Sequence, residues 1–282
     1  MKFLRTKKEV NQELNILQKK QITIGFVPTM GALHDGHLEL VKKAKQNSNI
    51  VVVSIFVNPT QFNNKEDFEN YPNTISKDLE LLDQTGVDLV FVPDIQEIYP
   101  AQPSLSFDFG KIERVLEGAF RPGHFNGVAI VVSKLLNIVK PHQVYFGQKD
   151  LQQVMIVRRL VEDLSFNTEI VIIPTVREAD GLAMSSRNLR LSLEQRAIAP
   201  LLYKALLKAK DELLKGNNWL AIREKINLMF KEQPGVQLEY FELVSTERFE
   251  LLEEVSDQSG IAICTAAFIG NIRLIDNISI FD

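Results

Sequence analysis

The chain has 282 residues, 45% of them apolar and 24% charged, with a formal net charge of −4; this is the composition of an ordinary globular enzyme, with room for one large α/β domain or two smaller ones. The negative balance argues against a nucleic-acid surface, which needs a basic patch, and the lone Cys264 excludes an internal disulfide or a cysteine-based zinc site. Val128–Val139 is broken by Ser133, Lys134 and Asn137 and is no membrane span, and Met1–Lys20 lacks the apolar core of a signal peptide, so a cytoplasmic location is expected.

Thr6 and Glu9 fit a capping box, followed by the helical stripe Val10, Leu14 and Leu17. Ile22–Val27 reads as a strand, and Leu38, Leu40, Val41 and Ala44 read as the apolar face of a helix. Between them stands Pro28-Thr-Met-Gly-Ala-Leu-His-Asp-Gly-His37. A strand-to-helix turn aims the N–H groups of the helix N-terminus outward, where they favour an anion. Gly31 and Gly36 let the backbone approach a ligand closely. His34 and His37 are three apart, hence on one face of a helical turn, and are placed to hold and protonate phosphate oxygens. The simpler alternative is a turn whose histidines only cap a helix.

Next come the β-branched run Ile50–Val57, a helix around Thr74–Gln84 and the strand Asp88–Val92. A helix over Val128–Val139, a strand at Val144–Phe146, a helix over Leu151–Leu164 and a strand at Glu169–Ile173 follow. Strands alternating with helices imply a parallel sheet with right-handed crossovers, and such sheets bind ligands beyond the carboxyl ends of their strands. The residues found there are chemical ones: Asn58-Pro-Thr-Gln61-Phe62, then Gly147-Gln148-Lys149-Asp150 with Gln152 and Gln153, then Pro174-Thr-Val-Arg177-Glu178. Gly147 and Lys149 read as a second phosphate-approach turn, with the ammonium as a point charge. Gln61 and Gln153 are neutral two-faced hydrogen-bonders suited to a small polyol or carboxylate. Taken singly, such a lysine or glutamine is as often a solvated surface residue.

Residues 178–192 gather Met184, Ser185, Ser186, Arg187 and Asn188. Arg187 is suited to bidentate phosphate contacts, with the two serines as further donors. Ser192 and Gln195 fit a capping box; the helix they open runs toward Lys215-Gly216 with a kink or restart at Pro200, and one more helix follows. Val236–Val244 alternates as a strand, and Ile261–Ile269 and Ile272–Ile280 are joined by the hairpin signal Gly270-Asn271. The expected fold is therefore α/β: a Rossmann-like parallel-sheet domain over residues 1–175 that binds the nucleotide and the small acid, and a smaller α/β lid domain with an antiparallel sheet over 176–282.

The segments Pro28–His37, Phe56–Phe62, Arg121–Phe125, Tyr145–Gln153, Pro174–Asn188 and Arg273-Leu-Ile-Asp-Asn277 together resemble the pantoate–β-alanine ligase (pantothenate synthetase) family, in order and spacing, over essentially the whole chain. The His-x-Gly-His element alone is shared with the wider nucleotidyl and adenylyl transferase superfamily. The resemblance implies that ATP and (R)-pantoate form a pantoyl adenylate and pyrophosphate. The amine of β-alanine then displaces AMP to give pantothenate. It implies ATP binding by Met30, Gly31, Ala32, Leu33, His34, Asp35, Gly36 and His37, with His37 as proton donor and His34 beside it. It also implies that Gly147, Gln148, Lys149, Asp150 and Val176 hold the nucleotide, with Lys149 on its phosphates, and that Met184, Ser185, Ser186 and Arg187 close over the triphosphate. Gln61 and Gln153 would hold pantoate, and Gln61 would also face β-alanine. Mg²⁺ would ride on the phosphates with no protein ligand named, and the family implies a homodimer.

Asn73, His142, Ile130 and Ile272 depart from the family pattern outside these motifs. His142 is expected to be a solvent-facing loop residue, and His124 loop scaffolding or a rim residue. Two other readings stand beside the ligase. A nucleotidyltransferase acting on a phosphorylated substrate would need more cations than Gln61 and Gln153 supply. A non-catalytic nucleotide-binding module would not need Arg187 and Lys149 alongside two histidines.

Overall fold

The structure, a computed structural model, describes residues 1–18, 22–255 and 260–281, with the side chains of Leu17 and Gln18 also outside the described part. The proposed continuation of the first helical stripe at Leu17 therefore lies outside it. Two compact units are present. The first comprises Met1–Phe109, Arg121–Gln148 and Gln153–Pro174; the second comprises Gly110–Phe120, Lys149–Gln152 and Thr175–Asp282. The sequence reading divides the chain once, after residue 175, whereas two short segments before that point belong to the second unit.

The chain runs β1 (Lys2–Leu4), α1 (Lys7–Gln18), β2 (Ile24–Thr29), α2 (Asp35–Asn47), β3 (Ile50–Ile55), α3 (Lys65–Glu69), α4 (Ile75–Gln84), β4 (Leu89–Phe91) and α5 (Ile95–Ile98). It continues through α6 (Leu116–Phe120), α7 (His124–Val139), β5 (Gln143–Gly147), α8 (Leu151–Asp163) and β6 (Glu169–Ile173). Six strands form one parallel sheet in the order β1-β4-β3-β2-β5-β6. Val51, Val53 and Ile55 turn to one face, against Leu40, Val41 and Ala44 of α2 and Leu82 of α4. Val52 turns to the other, where Val10 and Leu14 of α1, Val128–Val132 of α7 and Val154 of α8 lie. Burial on both faces is why these strands read as continuous apolar runs. Thr6 and Glu9 do close a capping box: Glu9 N donates to Thr6 Oγ1 at 3.2 Å and Thr6 N to Glu9 Oε2 at 2.8 Å.

Beyond β1, the order β4-β3-β2-β5-β6 is that of a doubly wound nucleotide-binding sheet, with its direction of winding reversed between β2 and β5. β1 escapes the sequence reading because it has three residues and buries only Leu4. α7 opens at His124 rather than Val128, because Gly123 at φ +80° turns the chain into it. His124 is consequently not a loop or rim residue: it sits in the first turn of a helix and is buried. His142 is exposed as expected, and its Nδ1 accepts from Ile24 N at 3.0 Å, capping the start of β2.

In the second unit Ser192 caps α9 (Leu193–Ile198) in the expected box with Gln195, and Pro200 restarts the chain as α10 (Leu201–Leu214), followed by α11 (Trp219–Lys231). Three helices thus stand where two were expected, since Pro200 lacks the N–H to continue α9. β7 (Val236–Ser245), β8 (Ile261–Ile269) and β9 (Ile272–Ser279) form an antiparallel sheet in that order. Trp219 stacks on Phe241 with ring centroids 5.9 Å apart, within a core that includes Leu206, Ile226 and Ile263. Burial of Cys264 in β8 pushes its thiol far above the ordinary range, which makes it a small hydrophobe. The segment 110–120 joins this unit through Glu117, which takes both guanidinium nitrogens of Arg273 at 2.8 and 2.7 Å and the Tyr240 hydroxyl at 2.8 Å. Burial holds that hydroxyl protonated, so it stays a donor.

Candidate functional site

The first unit places its candidate residues at the reversal between β2 and β5. β2 ends at Thr29, whose hydroxyl donates to Ser54 O at 2.7 Å and accepts from Gly31 N at 3.2 Å. Gly31 at φ +78° and Ala32 at φ +50° then turn the backbone so that consecutive N–H groups face the same way. Both are taken by one carboxylate: Ala32 N donates to Asp78 Oδ2 and Leu33 N to Asp78 Oδ1, each at 2.9 Å. Asp78 is 1% exposed and also accepts from Thr74 Oγ1 at 3.1 Å. A side chain at Gly31 would press on Ile55 and on that carboxylate. Asp78 therefore fixes a left-handed turn that a β-carbon at Ala32 disfavours.

The turn delivers His34 as the N-cap of α2 and His37 within its first turn. Their rings lie 4.1 Å apart and tilted by 40°. His34 N approaches His37 Nδ1 at 3.4 Å. As an acceptor at Nδ1, the neutral ring carries its proton on Nε2, the form that donates to a phosphate oxygen. Asp35 and Gly36 begin α2, at the positive end of its dipole. Met30 connects this turn to the next one: Gln61 Nε2 donates to Met30 Sδ at 3.0 Å.

Gln61 ends a 3₁₀ turn, Pro59–Gln61, and is buried. Its amide is oriented by a chain of donors. Tyr99 Oη donates to Asn58 Oδ1 at 2.8 Å and Thr60 Oγ1 to the same oxygen at 3.0 Å, so Asn58 Nδ2 faces Gln61 Oε1 at 3.0 Å and Gly127 O at 3.1 Å. Burial raises the Tyr99 hydroxyl's pKa, which keeps it a donor. The Gln61 carbonyl lies 2.8 Å from His124 Nδ1. A β-carbon at Gly127 would stand 2.3 Å from Thr60 O, so glycine there lets the Pro59–Gln61 turn lie against α7. At the end of β5, a β-carbon on Gly147 would meet nothing within 4 Å, an open approach to the backbone before Gln148. Gln153 is half-buried on α8. Its neighbour Gln152 is spent on structure in the second unit: it accepts from Glu117 N at 2.9 Å and donates to Ile112 O and Val115 O at 2.6 and 2.9 Å.

The second unit holds the candidate cations. Lys149 lies in a 3₁₀ turn, Gln148–Asp150, with Nζ 3.7 Å from Asp150 Oδ1. Val176 O accepts from Met184 N at 3.0 Å, and Arg177 bridges Ala183, so the loop doubles back as a small hairpin. Ser185 caps the 3₁₀ turn Ser186–Arg190 by accepting from Arg187 N at 3.3 Å. Ser186 is buried and Arg187 half-buried. Among the described residues, no three His, Cys, Asp or Glu side chains gather to hold a metal ion.

Asp78, Tyr99 and Gly127 are positioning residues that motif reading passes over, while Asn58 and His124 lie in segments it singles out without giving them that role. Asp78 does carry a signal: it occupies the position one turn before the buried Leu82, on the face where α4 meets the core. The others become visible only when distant segments meet.

A family model described as pantoate-beta-alanine ligase matches residues 2–279. The chain is 47% identical over 264 residues to a pantothenate synthetase of Cytophaga hutchinsonii, covering 93% of each. It superposes on the crystal structure of the enzyme from Thermus thermophilus with a TM-score of 0.94 at 41% identity, over 100% of both chains. It superposes on the pantoate-beta-alanine ligase from Francisella tularensis, solved with beta-gamma ATP and beta-alanine, with a TM-score of 0.84 at 41% identity, over 99% of this chain and 98% of that one.

Proposed function

The chain belongs to the pantoate–β-alanine ligase family, an ATP-dependent former of pantothenate, and we propose that it works through a pantoyl adenylate made at the two histidines. A carboxylate is a poor electrophile with no good leaving group. One pantoate oxygen attacks the α-phosphorus of ATP, the bond from that phosphorus to the β-bridging oxygen breaks, and pyrophosphate leaves. The amine of β-alanine then attacks the acyl carbon, the bond to the AMP oxygen breaks, and a proton is lost from nitrogen. Both steps need alignment of reactants and neutralisation of charge developing on phosphate.

Residues 30–37 bind ATP in this reading, with the Nε2 proton of His37 directed to the phosphates and His34 beside it. Gly147, Gln148, Asp150 and Val176 hold the nucleotide, and Lys149 neutralises charge on its phosphates. Met184, Ser185, Ser186 and Arg187 bind the triphosphate. Gln61 and Gln153 hold pantoate, and Gln61 also faces β-alanine. Mg²⁺ would accompany ATP and help neutralise the charge of its phosphates. We further propose a cytoplasmic homodimer; among the described residues no helix is long and apolar enough to cross a membrane.

The observation that supports this reading most strongly is the histidine pair at the start of α2, on a turn held by Asp78, where the strand order reverses. The test incubates the protein with ATP, Mg²⁺, pantoate and β-alanine and follows AMP and pyrophosphate. Sustained AMP release is expected only with both acids present. Release independent of either acid would exclude the ligase mechanism.

A further inference from the structure

Lys149 and the loop that carries Arg187 are far apart in sequence, yet both are tied to β9. Asn277 is 3% exposed and its Nδ2 donates to the Lys149 carbonyl at 2.8 Å. Next to it, Asp276 is 4% exposed and receives a forked pair from Arg177, Nη1 to Oδ2 at 2.6 Å and Nη2 to Oδ1 at 3.0 Å. Arg177 also donates to Asn277 O and to Gly181 O, each at 3.1 Å, and its guanidinium lies 3.8 Å over the ring of Tyr203. One guanidinium thus joins the base of the hairpin, its tip and β9.

A buried ion pair adds little stability over apolar side chains of the same size; what a forked, stacked guanidinium supplies is fixed geometry. Here the fixed objects are the backbone of the Lys149 turn and the loop leading into Met184–Arg187. We infer that Arg177, Asp276 and Asn277 are positioning residues for phosphate binding, holding the Lys149 ammonium and the Arg187 loop on β9 as one framework. This rests on the assignment of Lys149 and Arg187 to the ATP phosphates made above.

The test measures kcat/KM for ATP at saturating pantoate and β-alanine, the KM for pantoate and the melting temperature, for Asn277→Ala in wild-type and Lys149→Ala backgrounds. A displaced turn misplaces the ammonium, so Asn277→Ala alone is expected to lower kcat/KM for ATP by about 10²-fold. The KM for pantoate should hold. In the Lys149→Ala background the same substitution should cost almost nothing further in rate, because the group it positions is gone. Wild-type ATP kinetics in Asn277→Ala, or equal losses in both backgrounds, would overturn the inference while leaving the phosphate assignment intact. Normal ATP kinetics in Lys149→Ala alone would overturn the assignment and the inference with it. Should Asn277→Ala not fold, Asn277→Ser keeps a polar side chain and loses the amide's reach to the Lys149 carbonyl. It should show the same pattern, weaker, and the same two results would contradict it.

Discussion

The two units carry different candidate chemistry. The first carries neutral and backbone groups: a turn held by Asp78, the two imidazoles that follow it, and the Gln61 amide oriented by Asn58. The second carries the candidate cations Lys149 and Arg187, on short 3₁₀ turns. Neutral hydrogen-bonders recognise a small acid by geometry, and cations answer the charge of a triphosphate. Substitutions in the first unit should therefore register on pantoate as well as ATP, and those in the second on ATP alone.

The largest expected effect falls on stability. Arg273→Met leaves the buried Glu117 and the half-buried Glu239 without their shared cation, a change that typically costs about 3–5 kcal/mol. A lowered melting temperature with an unchanged KM for pantoate in the surviving folded protein is expected; a raised pantoate KM would break the division between units. Lys149→Ala comes next, cutting pyrophosphate formation by about 10²–10³-fold, the usual loss for one preorganised charge contact. Turnover near wild type would remove Lys149 from the mechanism. Asp78→Asn keeps the shape but gives up a charge-assisted acceptor for two backbone N–H groups, each such bond being worth about 1.5–3 kcal/mol. A rise in the KM for ATP is expected, and a change confined to thermal stability would show that the turn holds without its clamp. The smallest effect is that of Tyr99→Phe, which removes one donor to Asn58 and with it about 0.5–1.5 kcal/mol. It sharpens the comparison if it appears in the KM for pantoate and not in that for ATP.

Much of this was legible in the residues, for physical reasons. The six-residue runs of β2 and β3 are buried on both faces, and in β3 that burial is written as β-branched continuity. The Thr6 and Ser192 capping boxes and the Gly270-Asn271 hairpin are local chemistry, readable within a few residues. What lay beyond reading depends on meetings between distant segments. Asp78 reaches the histidine turn across 46 and 45 residues, and Asn277 reaches Lys149 across 128. Gln152 shows the limit from the other side. It stands beside Gln153 in the same polar stretch, yet both ends of its amide are taken up by the 110–120 segment.

In the proposed mechanism the pantoate carboxylate itself attacks the α-phosphorus. Pantoate labelled with ¹⁸O in its carboxylate, incubated with ATP, Mg²⁺, β-alanine and the protein, tests it in one mass spectrum. One ¹⁸O in each AMP formed, with no ADP, is the predicted result. Unlabelled AMP, or ADP with the label in inorganic phosphate, would contradict it.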